Sequence, residues 1–264
     1  MSLTIFGIDA SLSSTGLAIA ECIFDKSHKD YLFELLVGNN RTTKERLEKC
    51  FKISYSTEIK ERKEEKKQLA RVRKQIRDSE GMGVGPTLED NFSVEKMVVD
   101  RVDYQVKTLI SFIEKWESES KTKFVFTEDY SYHSQGSVTQ LAELKGAFKT
   151  SLFEFFKTKD HYFYLNAPIT AVKKVVGRNG NANKDLMSKE IERFGFSYQV
   201  SEDDEVDAIA ISISVFYAIF HRLYPFSIVG GLDRKQKKYV QSFIDSLNVF
   251  SNRIGTREEI EALL

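Results

Sequence analysis

The stretch IFGIDASLSSTGLAIAE, Ile5 to Glu21, decides how the chain begins to fold. Leu3, Ile5 and Ile8, then Leu17, Ala18 and Ile19, read as two strands, with a short turn of Ser, Thr and Gly between them. The hairpin ends its first strand on a carboxylate, Asp9. A buried charge is costly unless it is paired or holds a metal. Asp9 therefore either caps the turn or is the first ligand of a site.

Working outward, Tyr31–Val37 is expected as a third strand of an antiparallel meander. From Arg41 the composition turns charged. KERLEKCFKISYSTEIKERKEEKKQLARVRKQIRDSE reads as helical, with Leu47 and Phe51, then Leu69, Val72 and Ile76, at three- and four-residue steps. Lys and Arg outnumber Asp and Glu there. Two readings stand: a solvated helical hairpin, or a basic arm that touches DNA phosphates. GMGVGP, Gly81 to Pro86, breaks the segment. Asn91 to Trp116 then reads as a helix, with Val94, Val98, Val102, Val106, Leu109 and Ile113 along one face that packs on the sheet or, like Val138 to Phe156, offers a dimer seam.

KFVFTEDY, Lys123 to Tyr130, has the pattern of a strand running into a loop, and Val138 to Phe156 that of an amphipathic helix. HYFYLNAP is a strand stopped by Pro168. Helices are expected at Thr170–Val176, Asp185–Phe194, Glu202–Phe220 and Asp233–Phe250, with a last one opening on a capping box at Thr256. Three antiparallel strands followed by alternating strand and helix imply an α/β fold, a mixed sheet flanked by helices.

The bulk numbers narrow the classes. The chain has 264 residues, 39 basic against 39 acidic, so net charge does not advertise a nucleic-acid partner, although a local basic face remains open. Cys22 and Cys50 are too few for a disulfide framework, and neither sits in a zinc pattern. With no leader and no membrane-length apolar run, the expectation is a cytoplasmic protein.

Four acids stand at element ends. Asp9 closes the first strand and Glu128 the KFVFTE strand; Asp204 and Asp207 share a face in the first turn of a late helix. If the two strands are neighbours, Asp9 and Glu128 meet, and the helix delivers the other pair from the side. Packed carboxylates repel and take up protons unless a cation lies among them. Oxygen ligands without Cys or His select Mg²⁺, with Mn²⁺ able to substitute. Two ions roughly 3.5–4 Å apart are the usual clamp for phosphodiester hydrolysis. Each acid alone also has a plain structural reading, as a turn cap, a helix N-terminal charge or a surface residue. Asp203 or Glu205 can stand in for Asp204, since helix ends are read only to within a few residues.

GIDASLSSTGLAI resembles the first motif of RuvC-type Holliday junction resolvases, in the RNase H-like nuclease superfamily: a strand ending in Gly-Ile-Asp, then a turn closing on Thr15-Gly16. FVFTEDY is similar to the second motif, and VTQLAELKGAFKT to the Leu-x-x-x-x-Gly-Ala helix after it, with Leu141, Gly146 and Ala147 in place. APITAVKKVVGRNGNANKDLM resembles the Pro-x-x-Val-Lys and Gly-loop stretch, and DDEVDAIAIS the closing Asp-x-x-Asp-Ala helix. The chain departs from the family in Ala10-Ser11 where Pro-Gly is usual, in a shifted Gly loop, and in Ser131 at the expected place of the junction-opening aromatic.

The resemblance implies a five-stranded RNase H-like domain over 1–224, with a charged helical insertion at about 41–90. Residues 225–264 are then a C-terminal helical extension. It implies catalytic and metal-binding roles for Asp9, Glu128, Asp204 and Asp207, with two Mg²⁺ per site and Lys184 stabilising charge or positioning the backbone. Lys173, Lys174, Arg178 and Lys184 are expected on DNA phosphates, and Tyr130 or Tyr132 on an opened base; ordinary surface charge and packing are the plain alternatives. The implied protein is a homodimeric crossover junction endodeoxyribonuclease, bacterial or phage-type, leaving nicked duplexes with 5′-phosphates. Three rivals stand beside it. One is a broader flap or fork nuclease, and another a non-catalytic junction-binding protein. The third is an actin-like ATPase, against which the lone Gly230-Gly231 lacks its Asp and Thr.

Overall fold

A computed structural model of the chain describes residues 2–23, 51–60, 62–116, 122–129, 138–157, 162–193, 203–223, 234–249, 258 and 262. Strands β1 (Ser2–Ala10), β2 (Ser14–Ile23), β3 (Phe51–Lys60), β4 (Thr122–Glu128) and β5 (Tyr162–Ala167) form one sheet in the order β3-β2-β1-β4-β5. The first three are antiparallel; β4 and β5 run parallel to β1. This is the mixed five-stranded sheet, three antiparallel strands then two parallel, expected from the sequence.

The third strand is not where the alternation first suggested. Tyr31–Val37 lies outside the described residues, and β3 falls in the segment read as helical. Phe51, Ile53, Tyr55, Thr57 and Ile59 recur at every second residue, a strand period masked by the charged run that follows. Between Ile53 and Tyr55 the register slips by one residue against β2, so Ser54 is a bulge. The slip exchanges faces. Phe51 packs tilted against Phe216, ring centroids 4.7 Å apart, on one side, while Tyr55 stacks on Trp116 at 5.2 Å on the other. It also turns Ser56 toward the first face, a placement the site uses.

Helices cover both faces. On one lie α2 (Leu88–Lys115) and α3 (Val138–Phe156), whose Leu109, Ile113, Leu144, Phe148 and Leu152 pack against Phe6, Ile8, Leu17 and Val125. Their predecessor α1 (Lys63–Gly81) folds back on α2, which starts from a capping box: Thr87 accepts from the Asp90 N–H and Asp90 accepts from that of Thr87. On the other face lie α4 (Ile169–Gly177), α5 (Lys184–Arg193), α6 (Asp203–Leu223) and α7 (Arg234–Val249). Val240, Phe243, Ile244 and Leu247 of α7 join the same core as α4 and α6.

Helix α6 is apolar all round because it is enclosed, its body from Val206 to Phe220 being buried between the sheet and α7. Among the described residues no helix is long and apolar enough to cross a membrane. Of the helix expected from Thr256, only Glu258 and Ala262 are described, both helical.

Candidate active site

The sheet itself brings two of the acids together. Leu3, Ile5, Phe124 and Phe126 face α6, so Asp9 and Glu128, continuing those rows in steps of two, face it as well. The parallel register sets Ile8 beside Thr127, which makes Asp9 and Glu128 the next residues on adjacent strands. Their side chains lie within hydrogen-bonding reach of each other.

Helix α6 supplies the others, and two glycines let it approach. A Cβ on Gly16 would overlap the backbone carbonyl of Asp204, and one on Gly7 would overlap that of Ala208. Gly7 and Gly16 thus remove two side chains where the helix crosses β1 and β2. Two serines then pin its first turn: Ser14 donates to Asp204, and Ser56, placed by the β3 bulge, donates to Glu205. Glu205 is therefore turned to β3, away from Asp9. The side chain of Asp203 lies outside the described residues.

The resulting group is strongly acidic and mostly shielded from water. Asp9 is 6% exposed. Burial, then the charges of Glu128, Asp207 and Asp204, push its carboxyl well above the usual carboxylate range. Asp207 is also raised, first by burial and further by Glu128, against the opposing pull of Lys184 and Lys173. The Lys184 ammonium lies 3.1 Å from Asp204 and 3.5 Å from Asp207. Burial works against its charge, yet Asp207, Asp204 and Asp9 outweigh that cost and hold its pKa up.

The two α6 aspartates differ in what they have left to give. Asp204 accepts from Ser14 on one oxygen and Lys184 on the other. Asp207 keeps a buried oxygen, Oδ1, with no hydrogen-bond partner among the described residues. A buried acceptor with no donor is costly, and a cation would satisfy it. Among the described residues no three acids already close around one point. The donor set still fits a hard divalent cation: carboxylate oxygens only, mutually repelling, one of them orphaned.

The turn between β1 and β2 is held from the opposite face of the sheet. Gln105 of α2 accepts from the Thr15 hydroxyl at 3.0 Å and donates to the Leu12 carbonyl at 3.1 Å, where Arg101 also donates. Thr15 is thus a fastening of the turn beside Asp9.

Lys145 escaped the motif reading. It is 3% exposed, donates to the Asp129 carbonyl at 2.8 Å and lies 3.8 Å from Glu128. Burial lowers its pKa against the pull of Glu128, Asp9 and Asp129. The signal was there: Lys145 stands four residues after Leu141 and three before Phe148, inside the apolar stripe of α3. It holds the end of β4 and orients Glu128. Lys145→Met keeps the volume and removes that hold. We expect cleavage to fall roughly 10–100-fold, as for outer partners of metal ligands, and the Mg²⁺ concentration for half-maximal rate to rise. A metal titration with rates within about threefold of wild type throughout would remove Lys145 from the site.

Three of the four acids lie on the floor of an open cleft of about 1080 Å³. Asp9, Glu128, Asp207 and Lys173 line it; Asp204, Lys174, Arg178 and Lys184 do not. Arg178 caps α4 in the left-handed conformation, φ 59°, and its guanidinium lies 3.2 Å from Glu190. Tyr130 and Tyr132 lie outside the described residues.

No protein-family model matches the sequence, and no curated protein matches it. The fold is similar to two solved structures of Thermus thermophilus RuvC. One, of RuvC itself, has 14% identity and a TM-score of 0.42. The other, RuvC in complex with Holliday junction substrate, has 12% identity and a TM-score of 0.46. Each covers 83% of this chain and 96% of the other.

Proposed function

We propose that the chain is a divalent-metal-dependent endonuclease of branched DNA, which resolves four-way junctions by paired nicking as a homodimer. The observation that carries this reading is that Asp9, Glu128 and Asp207 line one cleft of about 1080 Å³, with Asp9 under the charges of the other two. Metal-free, that set is electrostatically frustrated: Asp9 and Asp207 are both pushed toward the protonated form. Such frustration marks a ligand-binding function more than a structural one.

Asp9, Glu128 and Asp207 would hold one or two Mg²⁺ ions, with Asp204 beside them. Bound there, the metal supplies Lewis-acid polarisation of the scissile phosphate and a more acidic water. The chain's own residues do the rest. Lys184 balances Asp204 and Asp207 and keeps the first turn of α6 from repelling itself apart. Lys173, on the cleft wall near Asp207, attracts the phosphate backbone, which gives affinity but no sequence information. Lys145 and the Thr15–Gln105 contact hold the two strand ends that carry Glu128 and Asp9.

The test is cleavage of a labelled immobile four-way junction, with flap, fork and linear duplex of matched sequence, under Mg²⁺ and under chelator. Symmetric paired nicks with 5′-phosphates in the junction, lost on chelation, are the expected result. Equal cutting of flaps and forks would make the enzyme a broad branched-DNA nuclease. Tight junction binding with no cut under Mg²⁺ or Mn²⁺ would leave a binding protein.

A further inference from the structure

The cleft has a second wall that the four acids do not explain. Lys66, Leu69, Arg73, Ile76 and Arg77 of α1 line it opposite the strand ends, and Arg101 of α2 and Lys173 of α4 stand at its sides. Residues 66, 73 and 77 are seven and four apart, so they fall on one face of the helix. The row is about 16 Å long at helical rise. That matches about five phosphate steps at 3.4 Å along one strand.

Position in the cleft, more than pairing, distinguishes this face from the rest of the hairpin. Away from the cleft Lys67 pairs with Glu64, Lys96 with Asp100 and Lys107 with Asp103, while Arg71 and Lys74 have no ion pair among the described residues. Among the described residues, Arg73 and Arg77 have no ion-pair partner. Among the described residues Glu95 is the one acid lining the cleft outside Asp9, Glu128 and Asp207. Two arginines held toward a cleft whose floor is acidic, yet paired to none of those acids, suit a polyanion lying between floor and wall.

We propose that α1 and α2 form a phosphate-gripping wall that holds the DNA strand being cut against the carboxylate floor. The proposal rests on the nuclease reading and assigns to the charged insertion, through Lys66, Arg73 and Arg77, most of the salt-dependent affinity for DNA.

The test uses the full chain and a labelled four-way junction in Ca²⁺, which permits binding without rapid cutting, between about 50 and 200 mM salt. The triple variant K66Q/R73Q/R77Q is compared with K67Q/R71Q/K74Q, which removes the same charge from exposed positions outside the cleft. The expected result is a fall of about 2–3 in the slope of log affinity against log salt and at least about 30-fold weaker binding for the first triple. The second should stay within about threefold of wild type, the size of a general charge effect. The single variant R77Q, at an exposed position, gives the same reading with about one unit of slope should the triple fold poorly. Equal affinities and slopes for the two triples, with wild type still cutting, overturn the wall and leave the nuclease intact. A wild type that neither binds nor cuts branched DNA overturns both.

Discussion

Asp9→Asn is expected to abolish junction cleavage while making the metal-free protein more stable at neutral pH. The loss should exceed the roughly 10–100-fold that follows removal of a mere outer partner of a ligand. Asp9 feels the charges of Glu128 and both α6 aspartates, and asparagine offers a weaker, uncharged oxygen. The gain in stability follows from the raised carboxyl of Asp9. A folded-state pKa above the unfolded one means that the native state binds more protons, so stability falls as pH rises. The contribution of Asp9 is fully present below its ordinary value of 3.8 and is lost as pH climbs through the raised value. Asparagine does not titrate and escapes that loss.

Thermal melts in chelator between about pH 4 and 8 should therefore show the variant gaining on wild type as pH rises. Added Mg²⁺ should narrow or reverse the gap, because binding to the native state stabilises wild type more. By the same proton competition, wild type should bind Mg²⁺ more tightly as pH rises through the Asp9 value. A variant that still cuts the junction, or that melts below wild type in chelator at neutral pH, would show that Asp9 is only a turn cap.

Gly16→Ala is the second large effect. The new methyl would meet the backbone carbonyl of Asp204 in the first turn of α6, which no rotamer change can move aside. Either the helix slides or β2 yields. Overpacking of this kind costs about 1–3 kcal/mol. Activity should suffer more than stability, since a shift of about 1 Å in positioning groups can cost about 100-fold in rate. Gly81→Ala, at an exposed helix end with open space around it, is the control and should leave cleavage unchanged and stability equal or slightly raised. Denaturant unfolding and cleavage, measured together, decide the matter: a Gly16→Ala protein equal to wild type in both would mean that α6 does not depend on this contact.

Much of the site was legible because each acid closes a run with a clear period. Asp9 and Glu128 end strands whose alternate residues are apolar, and Asp204 and Asp207 open a long apolar helix. Helix α3 matches its sequence limits at both ends. The misread strand β3 had its own two-residue period but sat against a charged run with helical steps, and local pattern cannot rank two such signals. A lysine in an apolar stripe usually reaches out to water, so Lys145 reads as a surface residue, whereas in the fold it turns inward to Asp129 and Glu128.

The order of most elements, the apolar faces of α2 and α3 and the candidate acids are legible in the sequence alone, since burial periodicity is local and needs no partner to be seen. Which acid is saturated and which is left with an orphaned oxygen was decided only in three dimensions. Ser14, Ser56 and Lys184 come to Asp204, Glu205 and Asp207 from distant parts of the chain. So does the wall of α1, whose arginines face the cleft only because the hairpin folds over the strand ends. A charge run in sequence has no direction until packing fixes which face of the helix the core does not take.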